Sequence, residues 1–390
     1  MRPASWRFGL ALACGVAAGC ESPASGTADG GAPDAANPTA GWVSETSTDL
    51  YVNRCVRDPQ ASLERVVTDP SYVVAYRSGG DSCSEWAPTT ADVLLHHQGI
   101  QRLVRGDHNY LIVTSSVHAT SPGTYQPGFE IVSLGSTGGV TGALGSLAAV
   151  GQPPSSCADR VAGYLPDPGA RDHAGGLQVT GAYAIVPFED SAGLQVAGFR
   201  AASLEDPASS AWGPLVIRER GEVQHAGAAA MTRLGNGQFL ALVFGFNSAN
   251  VEVFTSTAPS LPLDGAADSA WQSRSEAPTL FGAHYQNLQL VTRCDGQLFV
   301  VGTAQNLAGE DSADLWQLEL SPSYAPTFTL VASRHFVCSS QHTGGVRYCN
   351  FAAGAGVYVD GDGALLVYGV EHYNDAVPGT SVAVKVREFP

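Results

Sequence analysis

The stretch DHAGGLQVTGAYAIVPFED, running from Asp172 to Asp190, holds a histidine, a small flexible pair, an aliphatic residue and a glutamine, then a turn and an apolar segment. Related starts occur as HHQGIQ from His96, HAGAAA from His225 and HYQNLQ from His284. They place His96, His173, His225 and His284 in one column at spacings of 77, 52 and 59. A fifth copy carries Phe351 in that column, because shifting the fourth copy by 67 superposes Asp295-Gly296 on Asp362-Gly363. Such a period governs the fold, since each repeated unit buries its apolar face against its neighbours.

The residues after each start give the unit its secondary structure. From Gln101 to Tyr110, Ala230 to Phe239, Gln289 to Leu298 and Gly356 to Leu365 the separation is nine each time, across the turn formers GDHN, GNG, CDG and DGDG. These are hairpins. A second apolar segment comes next (YLIVTSS, YAIVPFED, FLALVFGFN, LFVVGTAQN, ALLVYGVEHY), and a third comes after a loop (FEIVSL, LQVAGFRA, VEVFTST, DLWQLEL, SVAVKVREF). Ala211-Trp212 and Ala270-Trp271 recur 59 apart, the offset that separates His225 from His284.

No long segment carries apolar residues at helical spacing, so the chain reads as all-β. Units of this length with about four antiparallel strands resemble the blades of a β-propeller, which here implies a five-bladed ring. A double β-sandwich is the alternative architecture. The last repeat stops after its third strand at Phe389, and YVVAYR (Tyr72 to Arg77) stands unclaimed before the first. An N-terminal strand is therefore expected to close the last blade by pairing between Ser381 and Phe389, removing two open edges.

Of 390 residues only 14% are charged, and 36 acids exceed 20 bases, which argues against a nucleic-acid or anionic-membrane footprint. Arg2 and Arg7 precede an apolar run from Phe8 to Gly19 that suits a signal segment and is too short to span a bilayer. Its end, Ala17-Ala18-Gly19-Cys20, resembles the lipobox of bacterial lipoproteins, although Ala17 stands where leucine is usual. The resemblance implies a lipidated Cys20, and Glu21 after it favours the outer membrane or cell surface. Ordinary secretion with cleavage nearby is the other reading. The expected organisation is a signal peptide at 1–20, a flexible tether at 21–41 and a propeller domain at 42–390.

Six cysteines follow Cys20, and an even number in an exported chain reads first as disulfides. Cys338 with Cys349 and Cys55 with Cys83 are the preferred pairs, leaving Cys157 with Cys294. No pair has the spacing of a thiolate zinc site.

In a propeller, the starts of first strands and the ends of second strands reach the same mouth. The repeat therefore gathers His96, His173, His225 and His284 from the starts with Glu189, Asp190, Asn247, Asn306, Glu371 and His372 from the ends. Four axial histidines resemble, in ligand type and placement, the iron site of carotenoid-cleaving oxygenases, and so offer one divalent metal as the alternative to no cofactor. Those enzymes have seven blades, and none of their other sequence patterns occurs here. The plain reading is that each histidine fixes a turn between blades. Five-bladed glycan-cleaving enzymes use axial carboxylates, a role open to Asp172, Glu189, Glu222 and Glu371. Pro187 marks a bulge near the mouth that aims Phe188 and Glu189, with a plain irregular strand end as the alternative, and Asp360-Gly361-Asp362-Gly363 fits a hairpin turn better than calcium.

The expected function is recognition: a monomeric, lipid-anchored binding module at the cell envelope, with a glycan or surface protein as partner. The alternative is an extracellular enzyme, either a carboxylate glycosidase or a four-histidine metal enzyme.

Overall fold

The computed structural model describes residues 54–68, 72–78, 93–105, 108–119, 126–136, 160–164, 171, 173–181, 183–190, 193–205, 211–259, 261, 263, 270–306, 310–337, 349–371, 373–376 and 382–390. The expected signal, Cys20 and the tether lie outside these residues, as do Cys83, Cys157, Cys338 and His372.

The chain is all-β apart from short helical turns. Strand β1 (Tyr72–Ser78) precedes the first repeat, which supplies β2 (Val93–Arg105), β3 (His108–Ala119), β4 (Gln126–Ser136) and β5 (Arg160–Tyr164). The second repeat gives β6 (His173–Ala174), β7 (Gln178–Thr180), β8 (Tyr183–Glu189), β9 (Gly198–Ser203), β10 (Ala211–Trp212) and β11 (Val216–Ile217). The third gives β12 (Ala228–Arg233), β13 (Phe239–Phe244), β14 (Asn250–Ser256) and β15 (Trp271–Pro278). The fourth gives β16 (Asn287–Thr292), β17 (Leu298–Gln305), β18 (Asp311–Leu320) and β19 (Pro326–Phe336). The fifth gives β20 (Ala355–Val359), β21 (Leu365–Val370), β22 (Tyr373–Ala376) and β23 (Val382–Phe389).

These strands form a β-propeller of four sheets, where five blades were expected. The first and fifth repeats share one nine-stranded sheet, joined by the parallel pair Gly99–Ala355 and by β22 against β2. The β22 pairing, four residues long against β2, is added to a close backbone approach at the axis. A Cβ on Gly356 would stand 1.7 Å from the Ile100 carbonyl oxygen, so only glycine lets these inner strands meet. The expected end pairing does form: β1 runs antiparallel to β23, from Tyr72 opposite Glu388 to Ser78 opposite Val382.

The repeated glutamine has a mechanical role at the axis. Gln178 donates to the Leu290 carbonyl (2.7 Å) and accepts from the amides of Leu290 (2.8 Å) and Met231 (3.0 Å). Gln101 donates to the Val357 carbonyl (2.7 Å) and accepts from the Val179 amide (3.2 Å). Gln289 accepts from the Val357 amide (2.9 Å) and donates to the Leu177 carbonyl (3.2 Å). Where inner strands lack a ladder partner toward the axis, the glutamine side chains satisfy their buried backbone groups.

Apolar clusters fill the spaces between repeats. Leu103, Phe129, Val186 and Phe188 join the first to the second, and Phe199, Met231, Phe239 and Trp271 join the second to the third. Phe244, Leu290 and Trp316 lie between the third and fourth, and Phe336, Phe351 and Phe389 between the fourth and fifth. Ile100, Val113, Tyr368 and Val386 close the ring between the fifth and first.

The expected hairpins share one turn geometry: Gly237, Gly296 and Gly363 all have positive φ, at 85°, 94° and 78°. Asp360 Oδ1 accepts the amides of Asp362 (2.9 Å) and Ala364 (2.8 Å), which makes it a turn residue.

The expected pairing of Cys55 with Cys83 is overturned, since Cys55 is bonded to Cys294 across 239 residues. The Val56 amide donates to the Thr292 carbonyl (2.9 Å) and the Cys294 amide to the Val56 carbonyl (3.1 Å), which brings the two sulfurs together. The reading of Cys157 with Cys294 falls with it. Cys349 is also disulfide-bonded, and its expected partner Cys338 lies outside the described residues. Past Cys55 comes α1 (Pro59–Arg65), a helix the sequence reading did not anticipate. Asp58 caps it by accepting the Ala61 amide (2.9 Å), Pro59 opens it, and Leu63 is buried with Val56 and Val66 against Phe389.

Candidate functional site

Glu189 ends β8 and pairs in register with His173 of β6. Its Oε1 lies 3.1 Å from His173 Nδ1, and its Oε2 lies 3.4 Å from His225 Nδ1. Oε2 also accepts the Ala226 amide at 2.8 Å. On the far side of His225, Nε2 lies 3.5 Å from the exposed Glu222 carboxylate. The His96 ring stands 5.7 Å from that of His173, centroid to centroid, with the Gln98 side-chain amide 2.9 Å from His96 Nδ1. A continuous set thus runs His96, His173, Glu189, His225, Glu222 across the first three repeats.

Burial by itself pushes the Glu189 carboxyl up. The His173 hydrogen bond and charge, the Ala226 amide and the His225 charge outweigh it and hold the carboxyl below its ordinary value. The result is a buried carboxylate that stays ionised.

A local break in the second repeat aims Glu189. Pro187 has no N–H to give an inner strand, and that strand is interrupted opposite it, between Ala174 of β6 and Gln178 of β7. The freed segment bonds to the third repeat: the Gly176 amide donates to the Gly227 carbonyl and the Ala229 amide to the Gly176 carbonyl, both at 2.9 Å. A Cβ on Gly175 would stand 2.1 Å from the Gly227 carbonyl oxygen, so glycine is required at the crossing. The β8 pairing to β9 continues through Pro187 without a bulge.

The loop that carries His225 is held by a buried ion pair. Arg218 Nη1 donates to the His225 carbonyl at 2.5 Å and Nη2 to Asn250 Oδ1 at 3.1 Å, while Nε lies 3.5 Å from Glu252 Oε2. Glu252 also accepts the Glu219 amide (3.1 Å), the Arg220 amide (3.2 Å) and the Ser273 hydroxyl (2.6 Å). Burial pulls the Arg218 guanidinium down from its ordinary value, and Glu252 opposes that pull.

Not every expected residue joins this set. His284 is exposed, and no hydrogen bond or ion pair described ties it to Glu189. Among the described residues no group of three or more His, Cys, Asp or Glu side chains is arranged to hold a metal ion. Asp190 accepts the Leu194 amide (3.0 Å) and shapes its own loop, and Asn306 exchanges three bonds with Glu310. Asn247 occupies a strained turn with φ of 50°. Glu371 is buried immediately after β21. A Cβ on Gly354 would stand 2.0 Å from Cγ1 of Val370, the residue before Glu371, and 3.3 Å from the His97 Cβ.

A second pattern went unread in the sequence. Ser116 Oγ accepts the Ala174 amide (3.3 Å), Glu189 the Ala226 amide, Ser248 Oγ the Tyr285 amide (3.1 Å) and Asp311 Oδ1 the Phe351 amide (2.9 Å). Each is a clamp from one repeat onto the start of the next, at or beside the histidine column. Ser116 and Glu189 fall six residues after the residue that opens the second segment (Tyr110, Tyr183), and Glu371 falls six after Leu365, the residue that ends the hairpin spacing of nine. Ser248 and Asp311 come after loops of other lengths and share no such signal.

No family model and no curated protein matches the chain. Among solved structures it is similar to a thermostable family-43 glycoside hydrolase, at 11% identity and a TM-score of 0.40, covering 80% of this chain and 92% of that one. It is similar to a glycosyl hydrolase from Bacteroides ovatus at 7% identity and a TM-score of 0.38, covering 76% and 87%. It is also similar to the Bombyx mori GH32 beta-fructofuranosidase BmSUC1 at 11% identity and a TM-score of 0.39, covering 76% and 60%.

Proposed function

We propose that this chain is an extracytoplasmic glycan hydrolase, held at the cell envelope by a lipid on Cys20, with Glu189 and Glu371 as its working carboxyl groups. The observation that supports it is the placement of Glu189: a buried carboxyl group 3.1 Å from His173 Nδ1 and 3.4 Å from His225 Nδ1, at the end of the ring where first strands begin. An ionised carboxylate so placed activates water or stabilises the positive charge that develops on a sugar ring during cleavage. Glu371 takes the matching position in the fifth repeat and supplies the second carboxyl. Turnover of a panel of soluble glycans by the full chain is the test. Glu189→Gln and Glu371→Gln are each expected to lower turnover by ~100-fold or more with the fold intact.

A recognition module without turnover is the second reading. It is favoured by the Ala226 clamp, because Ser116 and Ser248, which carry no carboxyl group, make the same kind of bond onto the next repeat. Glycan binding with no turnover on any member of the panel would select it.

A further inference from the structure

Among the described residues, where the other phenylalanines are buried or half-buried, Phe246 is exposed. It comes after β13, whose six residues are all buried, yet its side chain is 53% exposed. The next two residues hold it there. Asn247 and Ser248 have φ of 50° and 55°, a left-handed conformation that non-glycine residues rarely adopt. Ser248 is buried and tied on three sides: its amide donates to the Gly245 carbonyl (3.0 Å), its hydroxyl accepts the Tyr285 amide (3.1 Å), and its carbonyl accepts the Thr279 hydroxyl. The reversal is over-determined, which is the condition under which strain persists at working sites.

The ring that this turn presents lies 5.1 Å from the His225 imidazole, at an interplanar angle of 46°. His225 in turn contacts Glu189. An exposed aromatic face, an imidazole and an ionised carboxylate therefore stand side by side. Leu280, also at positive φ (54°) and 87% exposed, comes directly after Thr279, whose amide donates to the Ala249 carbonyl at 3.2 Å. Leu280 thus follows a residue bonded to both Ser248 and Ala249, at the end of the turn that presents Phe246.

We propose that Phe246 is a stacking platform for one sugar ring of the glycan, with Leu280 beside it and His225 and Glu189 facing the hydroxyl edge. This deepens the hydrolase reading and rests on it for the ligand class. A pyranose has a C–H face that packs on an aromatic ring and a hydroxyl rim that bonds carboxylate and imidazole, which is the division of surface found here.

The test is calorimetric titration of the full chain with xylohexaose, cellohexaose and mannohexaose, run beside turnover of the same sugars. Phe246→Ala is expected to weaken binding ~10-fold at unchanged melting temperature, and Phe246→Tyr to retain it. Binding by Phe246→Ala equal to that of the wild type overturns the platform, and continued turnover then leaves the hydrolase reading standing. Wild-type binding that Phe246→Ala loses, with no turnover by either, overturns the hydrolase reading and supports the platform. Failure of the wild type to bind any of the three sugars overturns the platform.

Discussion

Gln178 grips both backbone groups of Leu290 across the axis, donating to its carbonyl at 2.7 Å and accepting from its amide at 2.8 Å. The same Oε1 accepts the Met231 amide, so one side chain satisfies three buried groups on two other repeats. Gln178→Leu strands all three. Each buried group left unpaired costs about 1–3 kcal/mol, so the loss is expected to reach roughly 3–5 kcal/mol, read as a lowered urea midpoint. A loss below about 1 kcal/mol would mean that water reaches the axis.

Glu189 links the site to acid stability. Its carboxyl is held below the ordinary value in the folded chain, chiefly because His173 overcomes the effect of burial. A depressed carboxyl stabilises the fold above its unfolded pKa, about 4.3, and that contribution disappears as pH falls through the folded value. Glu189→Gln, which keeps an acceptor for the Ala226 amide, is expected to be less stable than the wild type at pH 7, with the gap closing below about pH 4. Chemical denaturation at several pH values measures it, and a gap constant down to pH 3 contradicts the assignment.

The end pairing makes a prediction by alternation. Strand β1 lies at the edge of its sheet, with Val74 opposite Val386 and Ala75 opposite Lys385. Adjacent residues on an antiparallel edge strand point their N–H groups in opposite directions. Of Val74→Pro and Ala75→Pro, one is therefore expected to cost about 3 kcal/mol and the other markedly less. Equal effects would argue against β1 being paired along one side only.

The bridge between Cys55 and Cys294 closes a span of 239 residues. The double change Cys55→Ser and Cys294→Ser is expected to destabilise by roughly 3–5 kcal/mol through the freedom returned to the unfolded chain. Added reductant should have little further effect at this bond. A variant as stable as the wild type would assign the work to the Val56 backbone bonds and the packing of Leu63.

Leu280 carries positive φ on an exposed side chain and buries almost nothing. Leu280→Gly removes backbone strain at the expense of a freer unfolded chain, and a net gain of about 0.5–1 kcal/mol is expected. Oligosaccharide binding should weaken in the same variant if Leu280 is the shoulder of the platform.

The fold was legible where its causes are local. The hairpins around Gly237, Gly296 and Gly363 depend on a few residues each, and the constant separation of nine exposed them. The strand at Tyr72–Ser78 was also readable, because a sheet with two free edges has a missing partner. The four sheets in place of five blades were not. That merger rests on the β22 pairing and on an approach between Gly356 and Ile100, which no periodicity encodes. The site was legible in part: the histidine column and Glu189 stood out as a repeated start and a repeated end, whereas nothing in the sequence sets Phe246 apart from Phe244, because its exposure depends on a backbone reversal.

The sequence alone determined the all-β class, the repeat and the turns, because those arise from residue type and short spacing. Only the tertiary structure decided that His173 and His225 share Glu189 while His284 stays apart, that Cys55 meets Cys294, and that the glutamines cross the axis. Each of these joins groups from different repeats, and their meeting is fixed by how whole sheets pack and close on one another.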